Sequence, residues 1–311
     1  MMKTIRKPIC LLLAAACLCA CSKSESSEQI PGGEAEIRLS AGLPVASVQS
    51  KAPIESGDKF TPAIAGWETP AAVNYAASPT WRTTTSEITA SAAAQAVMLT
   101  DRQVYNTNGR IKTYMKAWYP QGTLADGKVT FTGDASYKGD GTDDVLLAGE
   151  VSGSKSDLEN KMLAFRHLTT QLRFVVKADE SLASDTKITA IELKNVAVPA
   201  GIDLATDALT GTTKETLGVP DIDGNLVIGT TETGDAVGNP LMIVPPAGNT
   251  VTLKVTTSVT AFDDIVATID GDDKFQAGKA YTITLTFGQK NIELSATLAE
   301  WSAGTGSGLV E

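Results

Sequence analysis

The chain has 311 residues, with 26 Lys and Arg against 36 Asp and Glu, one histidine and four cysteines. A net charge of −10 argues against nucleic acid as a partner, because binding phosphates takes a surface of Lys and Arg. All four cysteines fall within the first 21 residues, so the remaining chain has no thiol for a disulfide, a thiolate metal site or a nucleophile.

The chain starts MMKTIRKPICLLLAAACLCAC. Lys3, Arg6 and Lys7 form a basic start, and Ile9 to Leu18 form an apolar run too short to cross a bilayer. That is the layout of a secretory signal. The run ends Leu18-Cys19-Ala20-Cys21, which resembles the lipobox of bacterial lipoproteins. The resemblance implies that residues 1–20 are removed and that Cys21 carries the lipid that anchors the chain to the outer membrane. Losing Lys3, Arg6 and Lys7 takes the net charge from −10 to about −13. Residues 21–33 are small, polar and Gly/Pro-bearing, and read as a flexible tether.

From there the chain reads as all-β, with Thr, Val, Ala and Gly abundant and turn signals every ten or so residues. Candidate strands come at 36–41, 110–120, 128–133, 144–151, 167–178 and 187–198. Period-2 alternation is clearest late in the chain. Val251, Leu253, Val255 and Val259 share one face of a run over 250–262; Tyr281, Ile283, Leu285 and Phe287 share another; Ile292, Leu294, Ala296 and Leu298 a third. Two stretches carry helical signals: the Ala-rich 86–99, with Ser86 as N-cap, and the short 154–165. The strands fall into two groups, which predicts two β-sandwich domains over 34–160 and 161–311, the boundary lying within 155–182.

No motif makes a case for an enzyme. His167, in LAFRHLTTQLRF, has no spaced partners for a triad or a His-based metal site and reads as structural. The Asp-rich stretches 138–144, 221–225 and 268–273 lack the spacing of a calcium loop and read as turns. No Gly-rich phosphate loop and no nucleophile elbow is present, and neither a cofactor nor a metal is expected. Trp67, Trp81, Trp118 and Trp301 offer a sugar-stacking platform, which makes a surface glycan-binding lipoprotein the alternative to a structural module.

Several stretches in order resemble the fimbrillin-like proteins of the Bacteroidia, subunits of type V pili. They are EIRLSAG soon after the lipobox, DVLLAG (144–149), LAFRHLTTQLRFVV (163–176), PLMIVPP (240–246) and FQAGKAYTITLTFGQKNIELSATLAEWSAG (275–304). The resemblance implies two tandem transthyretin-like β-sandwich domains. It also implies a pilus subunit that is exported as a lipoprotein and assembles by protease-triggered strand exchange. A trypsin-like protease cuts behind the first strand, and a strand from another subunit fills the opened groove. On this chain the removable strand would carry Ile37, Leu39 and Ala41, and the cut would fall after Lys51, where the family usually has Arg. Arg38 is a poorer cut site because it lies within the strand. The candidate donor strand carries Ile292, Leu294, Ala296 and Leu298. The implied partners are other pilin subunits, with receptors on host or bacterial surfaces.

Overall fold

The computed structural model describes residues 33–43, 54–269, 274–289 and 292–300. Twenty strands and no helix are found among them. The first twelve are β1 (Leu39–Gly42), β2 (Lys59–Phe60), β3 (Ala63–Thr69), β4 (Trp81–Thr84), β5 (Ile88–Thr89), β6 (Gln95–Val97), β7 (Lys112–Tyr119), β8 (Thr123–Ala125), β9 (Lys128–Thr130), β10 (Leu146–Ala148), β11 (Val151–Gly153) and β12 (Lys161–His167). The other eight are β13 (Thr170–Ala178), β14 (Ile188–Asp203), β15 (Ala208–Gly218), β16 (Asp235–Ile243), β17 (Thr250–Thr257), β18 (Ala261–Thr268), β19 (Lys279–Phe287) and β20 (Ile292–Glu300).

An eight-stranded sheet runs β4-β3-β7-β10-β12-β1-β6, with β11 also on β7. Both of its faces are covered at the centre. Ile64, Met115, Ala117, Leu146 and Ala148 face one core, together with Phe60 and Ile88 of the small β2–β5 sheet. Ala63, Ala65, Trp67, Trp118 and Leu147 face a second core with Val129, Phe131 and Ile202. Burial on both faces explains why β3 and β10 read as unbroken apolar runs rather than alternating ones. Residues 161–167 belong to this first sheet: β12 pairs with β10 and β1, and the chain enters the next sheet only at Thr170.

The later strands make a sandwich. A four-stranded sheet, β16-β13-β19-β20, packs on a six-stranded one, β18-β17-β14-β9-β8, with β15 on β14. Leu172, Phe174, Ile283 and Leu285 meet Ile191, Leu193, Leu253 and Val255 in its core. β14 also links the two halves, because its last residues, Gly201–Asp203, pair with β9.

Three sequence expectations change here. Residues 86–99 are strands, not a helix. β5 pairs with β2 and β6 with β1, while the Gln95 side chain bonds the Thr89 backbone across the turn between them. Sheet partners override the alanines' helix preference. Likewise 154–165 is a turn at 154–157 followed by β12. The run 250–262 is also two strands rather than one. The Thr257 hydroxyl oxygen accepts from the Thr260 amide at 3.0 Å and closes a turn that leaves Val259 72% exposed instead of in the core.

Candidate functional site

The segment 33–43 enters the first sheet as a long plug. Its side chains alternate, so Ala35, Ile37, Leu39, Ala41 and Leu43 all point into one core, with Ala41 and Leu43 fully buried. Its backbone is held on both sides. β1 runs parallel to β12, Leu39 opposite Lys161 through Gly42 opposite Ala164, and antiparallel to β6, Leu39 opposite Val97 and Ser40 opposite Ala96. Beyond the strand, the Ile37 amide donates to Gln103 O at 3.0 Å, the Tyr105 amide to Ala35 O at 2.8 Å and the Leu43 amide to Ser91 O at 2.7 Å.

On the outer face, the Asn160 side-chain amide donates to the Ser40 hydroxyl at 3.0 Å. An open groove of about 810 Å³ follows this side, lined by Arg38, Ser40, Ala96, Met98 and Asn160 among others. Charges sit at its rim. Arg102 pairs with Glu34 at 3.0 Å, and Lys161 lies 2.8 Å from both Asp157 oxygens. The Lys161 hydrogen bond holds the Asp157 carboxyl below its usual range. Tyr105 packs beneath the segment, and burial pushes its phenol up to about 12.

Arg38 has an exposed side chain, but its carbonyl accepts from the Lys161 amide at 3.2 Å, so the bond after it lies in paired backbone. Lys51 and Cys21 lie outside the described residues, as does Trp301.

The second candidate segment, β20, is an edge strand among the described residues. It pairs antiparallel with β19 over nine register positions, from Phe287 opposite Ile292 to Lys279 opposite Glu300. Ala296 is buried in the C-terminal core, and Ile292 and Leu294 pack against that core. Leu298 sits opposite Tyr281 in the register. The two candidate strands are therefore in different sheets, and each fills a core of its own.

Other candidates have structural roles. His167 Nδ1 lies 2.8 Å from Asp144 Oδ2, and the Thr169 hydroxyl donates to Asp144 Oδ1 at 3.0 Å, a buried cluster at the step between β12 and β13. Asp143 accepts from the Lys138 and Gly139 amides; burial raises its carboxyl against those bonds. Asp223 accepts from the Asn225 amide at 2.9 Å. No group of three His, Cys, Asp or Glu side chains is arranged to hold a metal among the described residues. Trp67 and Trp118 are buried and so unavailable for stacking on a sugar. Sequence reasoning missed Leu43 and the walls of the slot, β6 and β12. The helical signals at 86–99 and 154–165 hid both walls.

A family described as fimbrillin-like matches residues 50–301, starting just after the buried plug. A curated protein of Bacteroides uniformis, provisionally named fimbrium subunit Fim1C, is 30% identical over 205 residues. The match covers 62% of this chain and spans 62% of that relative's length. Two solved structures have a similar fold; both proteins are provisionally described as cell adhesion proteins. One, from Bacteroides uniformis, has a TM-score of 0.54 at 20% identity and covers 87% of this chain and 100% of that one. The other, from Bacteroides ovatus, has a TM-score of 0.52 at 12% identity and covers 86% and 98%. With the sandwich fold and a match over most of its length, the chain belongs to the fimbrillin-like family.

Proposed function

We propose that this protein is a structural and adhesive pilus subunit, made as a lipid-anchored precursor and switched on by proteolysis. In this reading Cys21 carries the lipid and a trypsin-like protease cuts after Lys51. The plug at 33–43, with Ile37, Leu39 and Ala41, then leaves its slot and takes the lipid with it. A strand from another pilin subunit fills the space, and β20, with Ile292, Leu294, Ala296 and Leu298, is the candidate donor.

One observation carries the reading. Among the described residues, five alternate side chains of 33–43 complete a core that is otherwise built from residue 54 onward. Removing them would open an apolar groove between β12 and β6, with free backbone groups on both walls. Such an opening is an aggregation hazard unless another strand fills it. Before the cut the lipid tether would hold the subunit at the outer membrane; after it the subunit would stand on the cell surface within the fimbrium, where receptors on host or bacterial cells are its further partners.

The test is N-terminal sequencing of the protein recovered from cells and from sheared surface fibres. A terminus at Ala52 in the fibres, an SDS-resistant ladder, and loss of both in Lys51→Gln are expected. Fibre protein that still begins at a lipidated Cys21 would overturn the maturation step. Failure of Cys21→Ser to lose palmitate label would overturn the anchor.

A further inference from the structure

Two stretches of the chain are nearly the same. Residues 37–43 read IRLSAGL and residues 292–298 read IELSATL, differing only at Arg38 against Glu293 and at Gly42 against Thr297. The shared positions are those that the slot around β1 can sense. Ile37, Leu39, Ala41 and Leu43 fill its core, and Ser40 meets Asn160 at 3.0 Å on the other face. Ile292, Leu294, Ser295, Ala296 and Leu298 repeat that set in the same order.

The two differences fall where the slot is permissive. Arg38 is exposed in the first sheet and Glu293 in the second. A β-carbon on Gly42 would meet the terminal methyl of Met162 at 2.8 Å, and the next neighbour, Ala92 O, lies at 3.4 Å. Met162 is itself 42% exposed, so a threonine there has to displace only the tip of a flexible side chain.

We infer that the slot is built to take β20 from a second copy of this same chain. The strand enters in the direction of β1, parallel to β12, with Ile292 in place of Ile37 and Leu298 in place of Leu43. This rests on the strand-exchange reading above. The register is set twice, by the large-large-small-large order of the core-facing residues and by Ser295 replacing Ser40 against Asn160. A slip by one residue would turn the apolar face outward. A slip by two would put Ala296 in a leucine's place. The move also gains pairing. Among the described residues β20 has one strand neighbour where it lies, whereas the slot offers β12 on one side and β6 on the other.

Cysteine pairs read the register directly. Ser40 lies opposite Ala96, and side chains so placed have Cβ atoms about 4.5–5.5 Å apart, close to disulfide reach. The full chain carrying Ala96→Cys with Ser295→Cys is expressed in the native cell, and its fibres are run on non-reducing gels. A covalent ladder at least about tenfold stronger than with Glu293→Cys or Thr297→Cys as partner is expected, since each shifted partner sits about 7 Å along the strand. A ladder from a shifted pair instead overturns the register and leaves strand exchange standing. SDS-resistant fibres without any ladder mean that a different strand fills the slot, which overturns the inference alone. Absence of protease-dependent polymer from the parent protein overturns both. A second variant tests the fit without assembly. Arg38→Glu with Gly42→Thr makes the plug identical to residues 292–298. The uncut variant is expected to melt within about 3 °C of the parent, and a fall of more than about 10 °C would show that the copy does not fit.

Discussion

Asp134 shows how single side chains hold the irregular parts of this all-β chain. Its Oδ2 accepts from the Gly122 amide at 2.6 Å, and its Oδ1 accepts from the Ser136 amide and hydroxyl at 2.7 and 2.6 Å. Burial pushes its carboxyl up, but the bonds from Ser136 and Gly122 outweigh that and leave it below the usual range. A carboxyl lowered by folding stabilises the fold above the unfolded value, about 3.9, and that contribution is lost as pH falls through the folded value. Asp134→Ala is therefore expected to cost about 1–3 kcal/mol at pH 7, with the gap to the parent narrowing below about pH 4. Urea denaturation at pH 7 and at pH 3 checks this; an equal gap at both would assign the loss to packing instead of charge.

At the scale of elements, pairing depends on where strands come closest. Gly201 of β14 crosses β9 so closely that a β-carbon would stand 2.1 Å from Val129 O, a backbone atom that cannot swing away. Gly201→Ala is expected to cost about 2–3 kcal/mol by forcing the two strands apart. Gly42→Ala, which meets only the Met162 tip, should cost less than about 1 kcal/mol. Chemical denaturation of both variants tests the contrast. Neither close approach is visible in the sequence, because each depends on a partner far along the chain. What was legible follows the same physics. β17, β19 and residues 292–297 of β20 bury one face more deeply than the other, so their alternation is clean, and Ile37, Leu39 and Ala41 stand out for the same reason. β3 and β10 bury both faces and lose the alternation. β6 and β12 take their form from pairing with β1, so local composition pointed to helix.

At the scale of the whole molecule, three features tie the first sheet to the later sandwich. β14 belongs to the later core and also pairs with β9; Val129, Phe131 and Ile202 share a core with Trp67 and Trp118; and Lys116 of β7 reaches the turn after β14. The Lys116 ammonium is buried, donates to Leu204 O at 2.6 Å and to Asp207 at 2.5 Å, and lies 4.3 Å from the Tyr75 ring centre. Arg166 stands 3.6 Å from the other Asp207 oxygen. Separate beads on a string would each melt at their own temperature. Halves that share a strand and a core should melt together. Calorimetry of the uncut chain is expected to give one endotherm, with calorimetric and van't Hoff enthalpies in agreement. Lys116→Met keeps the shared core and the β9–β14 pairing but leaves Leu204 O and Asp207 without their donor. It should cost about 2 kcal/mol and lower the single transition by a few degrees without splitting it. Two endotherms in the parent would mean that the halves fold independently; a split only in Lys116→Met would mean that this one side chain, and not the shared strand, couples them.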